Sequence, residues 1–166
     1  MNDHIFGPLE VTSSFSWDVS TITEKDLNEI VQYTKFNCNY EFDFNAAKET
    51  LDDSIFTRII RVDMNYVKPI IGLLFVTGDE NSYYVAYISI HQNFRQQGLA
   101  RMLFSSLANY IKVSPSGYAG ISLRVNRNNT EAITLYKSYG FKIIRSNIDD
   151  FVMAESVKDF LLASRF

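Results

Sequence analysis

The sequence predicts an α/β fold of the mixed α+β kind: a central mixed, mostly antiparallel sheet of about seven strands, with helices on both faces. Two observations carry this expectation. Three early segments show strand-like alternation, at 15–22, 56–64 and 70–77. The second half then runs strand, helix, strand, helix, strand, because its apolar period switches back and forth between two and 3.6 residues.

Taken in order, residues 1–12 read as an irregular arm. FSWDVSTI, at 15–22, alternates aromatic and β-branched residues and predicts a strand. Thr23 is a candidate N-cap, with Glu24 and Asp26 in the first turn, and Leu27, Ile30 and Val31 carry a helical stripe to about Phe36. Residues 37–44 (NCNYEFDF) read as a loop and 45–53 as a short helix. A strand at 56–64 turns at Asn65-Tyr66 into its hairpin partner at 70–77, with Pro69 at the start, where a missing N–H is tolerated. After a turn at 78–81 comes a strand at 83–90, with Tyr83, Val85, Tyr87 and Ser89 on one face and Tyr84, Ala86, Ile88 and Ile90 on the other.

A long amphipathic helix follows, its stripe set by Leu99, Leu103, Leu107 and Ile111 and ended by Ser114-Pro115-Ser116-Gly117. Residues 120–125 predict a strand. Asn128-Asn129-Thr130 opens the next helix, and Gly140 closes it at C′. Strands at 141–146 and 151–155 and a short helix at 157–166 complete the order. No repeat, linker or low-complexity tract interrupts 1–166, so a single domain is expected.

Composition narrows the function classes. The chain is 46% hydrophobic and 21% charged, with 13 Phe and 10 Tyr, which supplies a sizeable core. A net charge of −3 argues against a nucleic-acid partner. The lone Cys38 excludes a disulfide framework within the chain and a cysteine-based metal site, and two histidines are too few for a His-rich cluster. No metal is expected. A cytoplasmic setting fits the cysteine usage. The first residues have no basic region followed by an apolar run, and no stretch approaches the ~18 apolar residues of a membrane span, so neither a signal peptide nor a membrane partner is expected. A homodimer is compatible with the sequence.

The chemistry centres on 88–101, ISIHQNFRQQGLAR. A strand that runs through a tight turn into a helix leaves the first helical N–H groups unpaired and aimed at one point. The helix dipole adds positive charge there, so the place suits phosphate. Gly98 lets a ligand approach the backbone with no Cβ in the way. The spacing Arg-x-x-Gly-x-Ala is neither the Rossmann fingerprint nor a P-loop. A bound phosphate would therefore be held mainly by backbone.

This turn, Arg95-Gln96-Gln97-Gly98-Leu99-Ala100, resembles the Gln/Arg-x-x-Gly-x-Gly/Ala motif of the GNAT superfamily of N-acetyltransferases. A second stretch resembles the same family: Leu123-Arg124-Val125, then Asn129-x-x-Ala132-x-x-Leu135-Tyr136, then Tyr139-Gly140-Phe141. The likeness covers about 56–156, while the first residues match only in element order.

The resemblance implies a GNAT fold and an acetyl-CoA site. Ile88 and Ile90, with Ser89 between them, would hold the pantetheine arm through their backbones, as an added strand would. Backbone N–H groups of Arg95, Gln96, Gln97, Gly98, Leu99, Ala100 and Arg101 would hold the pyrophosphate. Asn129 would contact the cofactor arm. Tyr136 would be the catalytic acid that protonates the leaving thiolate. A backbone N–H near Ile90 would stabilise the developing oxyanion.

The general base stays open. Family members use a glutamate on the strand before the turn or at the end of the next strand; here the first strand has no carboxylate and the second place holds Arg124. His91, Tyr83, Tyr87, Glu41 and a water chain are the alternatives, with His91 read more simply as an exposed loop residue. The expected activity is direct transfer of an acetyl group from acetyl-CoA to a primary amine, with a small-molecule amine as acceptor. A protein lysine or N-terminus as acceptor, and a non-catalytic CoA-binding module, are the alternatives.

Overall fold

The computed structural model describes residues 16–37, 42–114 and 116–165. The arm at 1–12, Phe15, Cys38, Tyr40, Glu41, Pro115 and Phe166 lie outside them. β1 (Ser16–Ser20) is followed by a 3-10 turn at Glu24–Asp26 and then α1 (Leu27–Asn37). Thr23 caps this start with a capping box: its backbone N–H donates to Asp26 Oδ2 at 2.8 Å. α2 (Phe44–Asp53) begins one residue earlier than expected, because the Asp43 carboxylate accepts the Ala46 N–H at 2.7 Å and so sets the cap.

β2 (Ser54–Asp63), β3 (Ile70–Gly78) and β4 (Ser82–Ile90) follow, then α3 (Leu99–Val113), β5 (Gly120–Asn126), α4 (Thr130–Ser138), β6 (Lys142–Ser146), β7 (Asp150–Ser156) and α5 (Val157–Ala163). The seven strands form one sheet in the order β1-β2-β3-β4-β5-β7-β6. Pairing is antiparallel for β1–β2, β5–β7 and β6–β7 and parallel for β4–β5, so the sheet is mixed, as expected. Among the described residues no helix is long and apolar enough to cross a membrane.

The chain divides into two compact units. One comprises residues up to Phe75 together with Tyr87–Ala100; the other comprises Val76–Ala86 and residues from Arg101 onward.

In the first unit, Leu27, Ile30 and Tyr33 of α1 are buried, as are Ile59, Ile60 and Val62 of β2 and Ile71, Leu73 and Phe75 of β3. Phe42 packs against Phe75 and Tyr87, with centroids 5.8 and 4.9 Å away. Arg61 reaches from β2 to Asp26 at 3.0 Å and Glu29 at 2.7 Å, tying the sheet to the start of α1.

In the second unit, Phe104 of α3 is fully buried at the centre of an aromatic cluster. Tyr139 and Phe160 meet it edge-on at 4.9 and 5.7 Å, and Phe141 stacks at 6.5 Å. Beneath this cluster Ile121, Leu123 and Met153 face inward. Phe141, expected in the last-but-one strand, lies just before it, because its N–H closes the end of α4.

Candidate active site

The turn after β4 is built by anchoring its ends and leaving its middle open. Phe94 and Leu99 are buried, while Arg95, Gln96, Gln97 and Gly98 between them are exposed. Phe94 is held edge-on by Trp17 at 5.9 Å and by His91 at 5.7 Å. Gln96 and Gly98 both take left-handed backbone, with φ 61° and 78°. Glycine adopts that readily; glutamine does so only under constraint. Left-handed residues in such a turn fold successive N–H groups towards one side, which makes an anion-binding concavity.

α3 then adds a helix start with no acidic residue in its first turn. A Cβ built on Gly98 meets nothing within 4 Å, so that side of the turn is open. These features fit a pyrophosphate held by backbone. The Arg95 side chain is turned back, its Nε donating to the Ile90 carbonyl at 3.2 Å. It braces the turn on the end of β4. Ile90 is itself packed over Gly72, where a Cβ would stand 3.0 Å from Ile90 Cδ1.

The alternatives for the base part company. Glu41 lies outside the described residues. His91 is 1% exposed, which corrects the expectation of an exposed loop residue. Its Nδ1 accepts the Asn93 N–H at 3.1 Å, so the ring caps the short 3-10 turn at Gln92–Phe94. Tyr83 is buried with its hydroxyl on Ser116 Oγ. Tyr87 is buried in the aromatic group with Phe42 and Phe75. Ser89 meets the Tyr33 hydroxyl at 3.0 Å, a pairing that sequence reading missed because Tyr33 sits on the apolar stripe of α1.

In the second unit, the Asn129 side chain accepts the Ala132 N–H at 3.1 Å and caps α4. At the other end a Schellman closure forms. The Phe141 N–H donates to the Tyr136 carbonyl at 3.1 Å, and the Gly140 N–H to the Lys137 carbonyl at 3.0 Å, with Gly140 at φ 96°. The Tyr136 and Phe141 rings meet edge-on at 6.1 Å, the apolar contact that accompanies this closure. The run Tyr136 to Phe141 is thus a device that fixes the Tyr136 backbone and ring together. Burial pushes the Tyr136 phenol well above its ordinary value, so it keeps its proton at neutral pH. Arg101 donates to Ser138 Oγ at 3.3 Å and lies over the Tyr139 ring. Arg124 is exposed, 3.8 Å from Asp150.

One ionisable group escaped the sequence reading. Both Glu155 carboxylate oxygens are out of solvent without a hydrogen-bond partner among the described residues. Burial, with Asp159 adding to it, pushes its carboxyl up to about 7. The signal was present in the alternation of 150–156, which places Glu155 on the inward face with Phe151 and Met153. Among the described residues no group of three or more His, Cys, Asp or Glu could hold a metal.

The family model described as an acetyltransferase (GNAT) domain matches residues 58–143, just over half of the chain. No curated protein matches the sequence. Solved structures with the same fold include the ribosomal-protein-S18-alanine N-acetyltransferase of Escherichia coli, at 18% identity and a TM-score of 0.71 over 86% of this chain and 94% of that one. NAA60 of Arabidopsis thaliana in complex with acetyl-CoA is 16% identical, with a TM-score of 0.71 over 85% and 99%. The PaiA N-acetyltransferase of Thermoplasma acidophilum in complex with coenzyme A is 13% identical, with a TM-score of 0.67 over 85% and 99%. The chain belongs to the GNAT family and is an acetyl-CoA-dependent acyltransferase.

Proposed function

We propose that this enzyme acetylates a small-molecule primary amine, with the donor held at the turn after β4. The observation that carries the donor site is the pair of left-handed residues, Gln96 and Gly98, the second with open space where a Cβ would stand, immediately before the 15-residue α3. Acetyl-CoA supplies an acetyl group activated as a thioester. The backbone N–H groups of 95–101 bind its pyrophosphate, and the backbones of Ile88 and Ile90 bind its pantetheine arm. The parallel register of β4 with β5 covers Ser82–Val85, and Ile88, Ser89 and Ile90 lie beyond its end. Asn129 contacts the arm while capping α4.

Tyr136 Oη, protonated throughout the neutral range, passes its proton to the leaving sulfur and recovers the one that the amine nitrogen loses as the amide forms, so the phenol is regenerated and the protons balance. Orientation of two bound reactants supplies most of the remaining acceleration. A small acceptor is supported by the net charge of −3, which disfavours capture of nucleic acid or of proteins bound to it.

Two measurements test the reading together. Acetyl-CoA should raise the melting temperature, and an unchanged transition at saturating cofactor would overturn the donor site. Release of free thiol, followed against a panel of small amines and peptides, should be fastest with a small amine. Release confined to peptides would replace the small-amine reading with protein acetylation.

A further inference from the structure

The sheet of the second unit has one face buried and one open. Ile121, Leu123 and Met153 are buried, while their neighbours Ser122, Arg124, Val152 and Ala154 are partly or wholly exposed. The strand register tells which side chains share the open face, because directly opposed residues point the same way. Tyr84 opposes Ser122. Ser122 opposes Ala154, and Arg124 opposes Val152. Ala154 opposes Lys142, and Val152 opposes Arg145.

Strict alternation along β6 would have placed Ile144, not Arg145, on that side with Lys142. The register shift between Ile143 and Arg145 is a bulge, and it turns Arg145 onto the face that Arg124 occupies. One open face therefore carries three cations, Arg124, Lys142 and Arg145, over a floor of small residues, Ser122 and Ala154. The single acid that the register adds to this face is Asp150, opposite Asn126.

Asp150 forms a loose ion pair with Arg124 that leaves the guanidinium donors unused. The separation of 3.8 Å exceeds a hydrogen bond, and no hydrogen bond of Arg124 occurs among the described residues. A guanidinium has five donors in a planar fork matched to carboxylate and phosphate. Tyr84 stands beside it: burial raises the Tyr84 phenol, Arg124 pulls it the other way, and Asp150 adds to the rise. An acidic chain has thus gathered cations on one uncovered patch, beside a phenol.

We propose that this face receives the acceptor, and that Arg124, supported by Arg145 and Lys142, binds an oxyanion, carboxylate or phosphate, carried by the amine substrate. The inference rests on the acetyl-transfer reading and narrows it. Polyamines and aminoglycosides, which are polycations, are repelled by such a face; an amino acid or a phosphorylated amine is drawn to it.

The test uses the CoA-saturated protein and matched pairs of amines: phenylalanine with phenethylamine, alanine with ethylamine, and phosphoethanolamine with ethanolamine. In calorimetric titrations the anionic member of at least one pair should bind about tenfold more tightly, as one charge-assisted bidentate contact provides. Arg124→Gln should erase that preference, and in turnover it should raise KM for the anionic amine about tenfold while kcat changes less than about twofold. Arg145→Gln should weaken the preference partially. A preference confined to phosphoethanolamine assigns phosphate, and one confined to the amino acids assigns carboxylate. Equal binding within every pair, or a preference that survives both substitutions, overturns the proposal. A preserved binding preference without thiol release would instead overturn acetyl transfer and leave the anion site standing.

Discussion

Gly140 and Glu155 stand in contact, so that a Cβ on Gly140 would lie 2.6 Å from Glu155 Oε2. That oxygen ends a flexible side chain, which can swing aside, whereas the φ of 96° at Gly140 is left-handed and strains any residue with a Cβ. Gly140→Ala should therefore cost about 1–2 kcal/mol, mostly from backbone strain and in smaller part from displacing the Glu155 carboxylate. Glu155→Ala should restore only the second part, which a double-mutant cycle by chemical denaturation would resolve.

The same carboxylate makes stability depend on pH. Glu155 is raised in the folded protein from 4.5 to about 7. Between those values the folded state holds a proton that the unfolded state has lost, so stability falls as pH rises across this window and levels off above it. Glu155→Gln should be neutral below the window and stabilising above it by about 1–2 kcal/mol, once solvent screening is allowed for. Thermal melts from acid to mildly alkaline pH would read this directly, and an equal effect at both ends would contradict it.

Gly98→Arg should abolish the acetyl-CoA thermal shift, because a side chain would fill the open side of the turn. Gly98→Ala separates the causes. Its Cβ meets nothing, so only left-handed strain of about 1 kcal/mol is added, and most cofactor affinity should remain. A full shift retained in the arginine variant would remove this turn from the donor site.

Tyr136→Phe should lower kcat about a hundredfold, with cofactor affinity changed less than about twofold. Because burial lifts this phenol well above its ordinary value, the wild-type rate should show no loss assignable to it up to about pH 9. A rate unchanged by the substitution would leave Tyr136 as a core residue that completes the aromatic cluster.

Phe94→Ala should cost about 3–5 kcal/mol, as truncation of a fully buried aromatic does. It should also loosen the turn, since Phe94 sets the position from which Arg95 to Gly98 project. The expected reading is a lowered melting temperature together with weaker acetyl-CoA binding per folded molecule, measured by titration well below the transition.

Much of this protein follows from local rules. Thr23 and Asn129 announce helix starts because a short polar side chain can take an orphan N–H within three residues. Gly140 announces a helix end for the corresponding reason. The turn at Arg95–Gly98 was legible because strand, turn glycine and apolar stripe are contiguous in the chain. Family membership followed from two such contiguous stretches.

Other features were decided by tertiary structure, because they join residues far apart in sequence. His91 reads as a loop residue until its N–H bonds the Ile71 carbonyl of β3 at 2.7 Å and its ring is buried. Glu155 reads as a strand carboxylate until the turn at Gly140 comes up against it and its oxygens lose their solvent. The cationic face is the clearest case. Arg124, Lys142 and Arg145 share it only through two strand registers and one bulge, and a shift of a single residue would send Arg145 to the opposite side. Side-chain direction along a strand alternates with every residue, so composition names the charges while pairing alone decides where they meet.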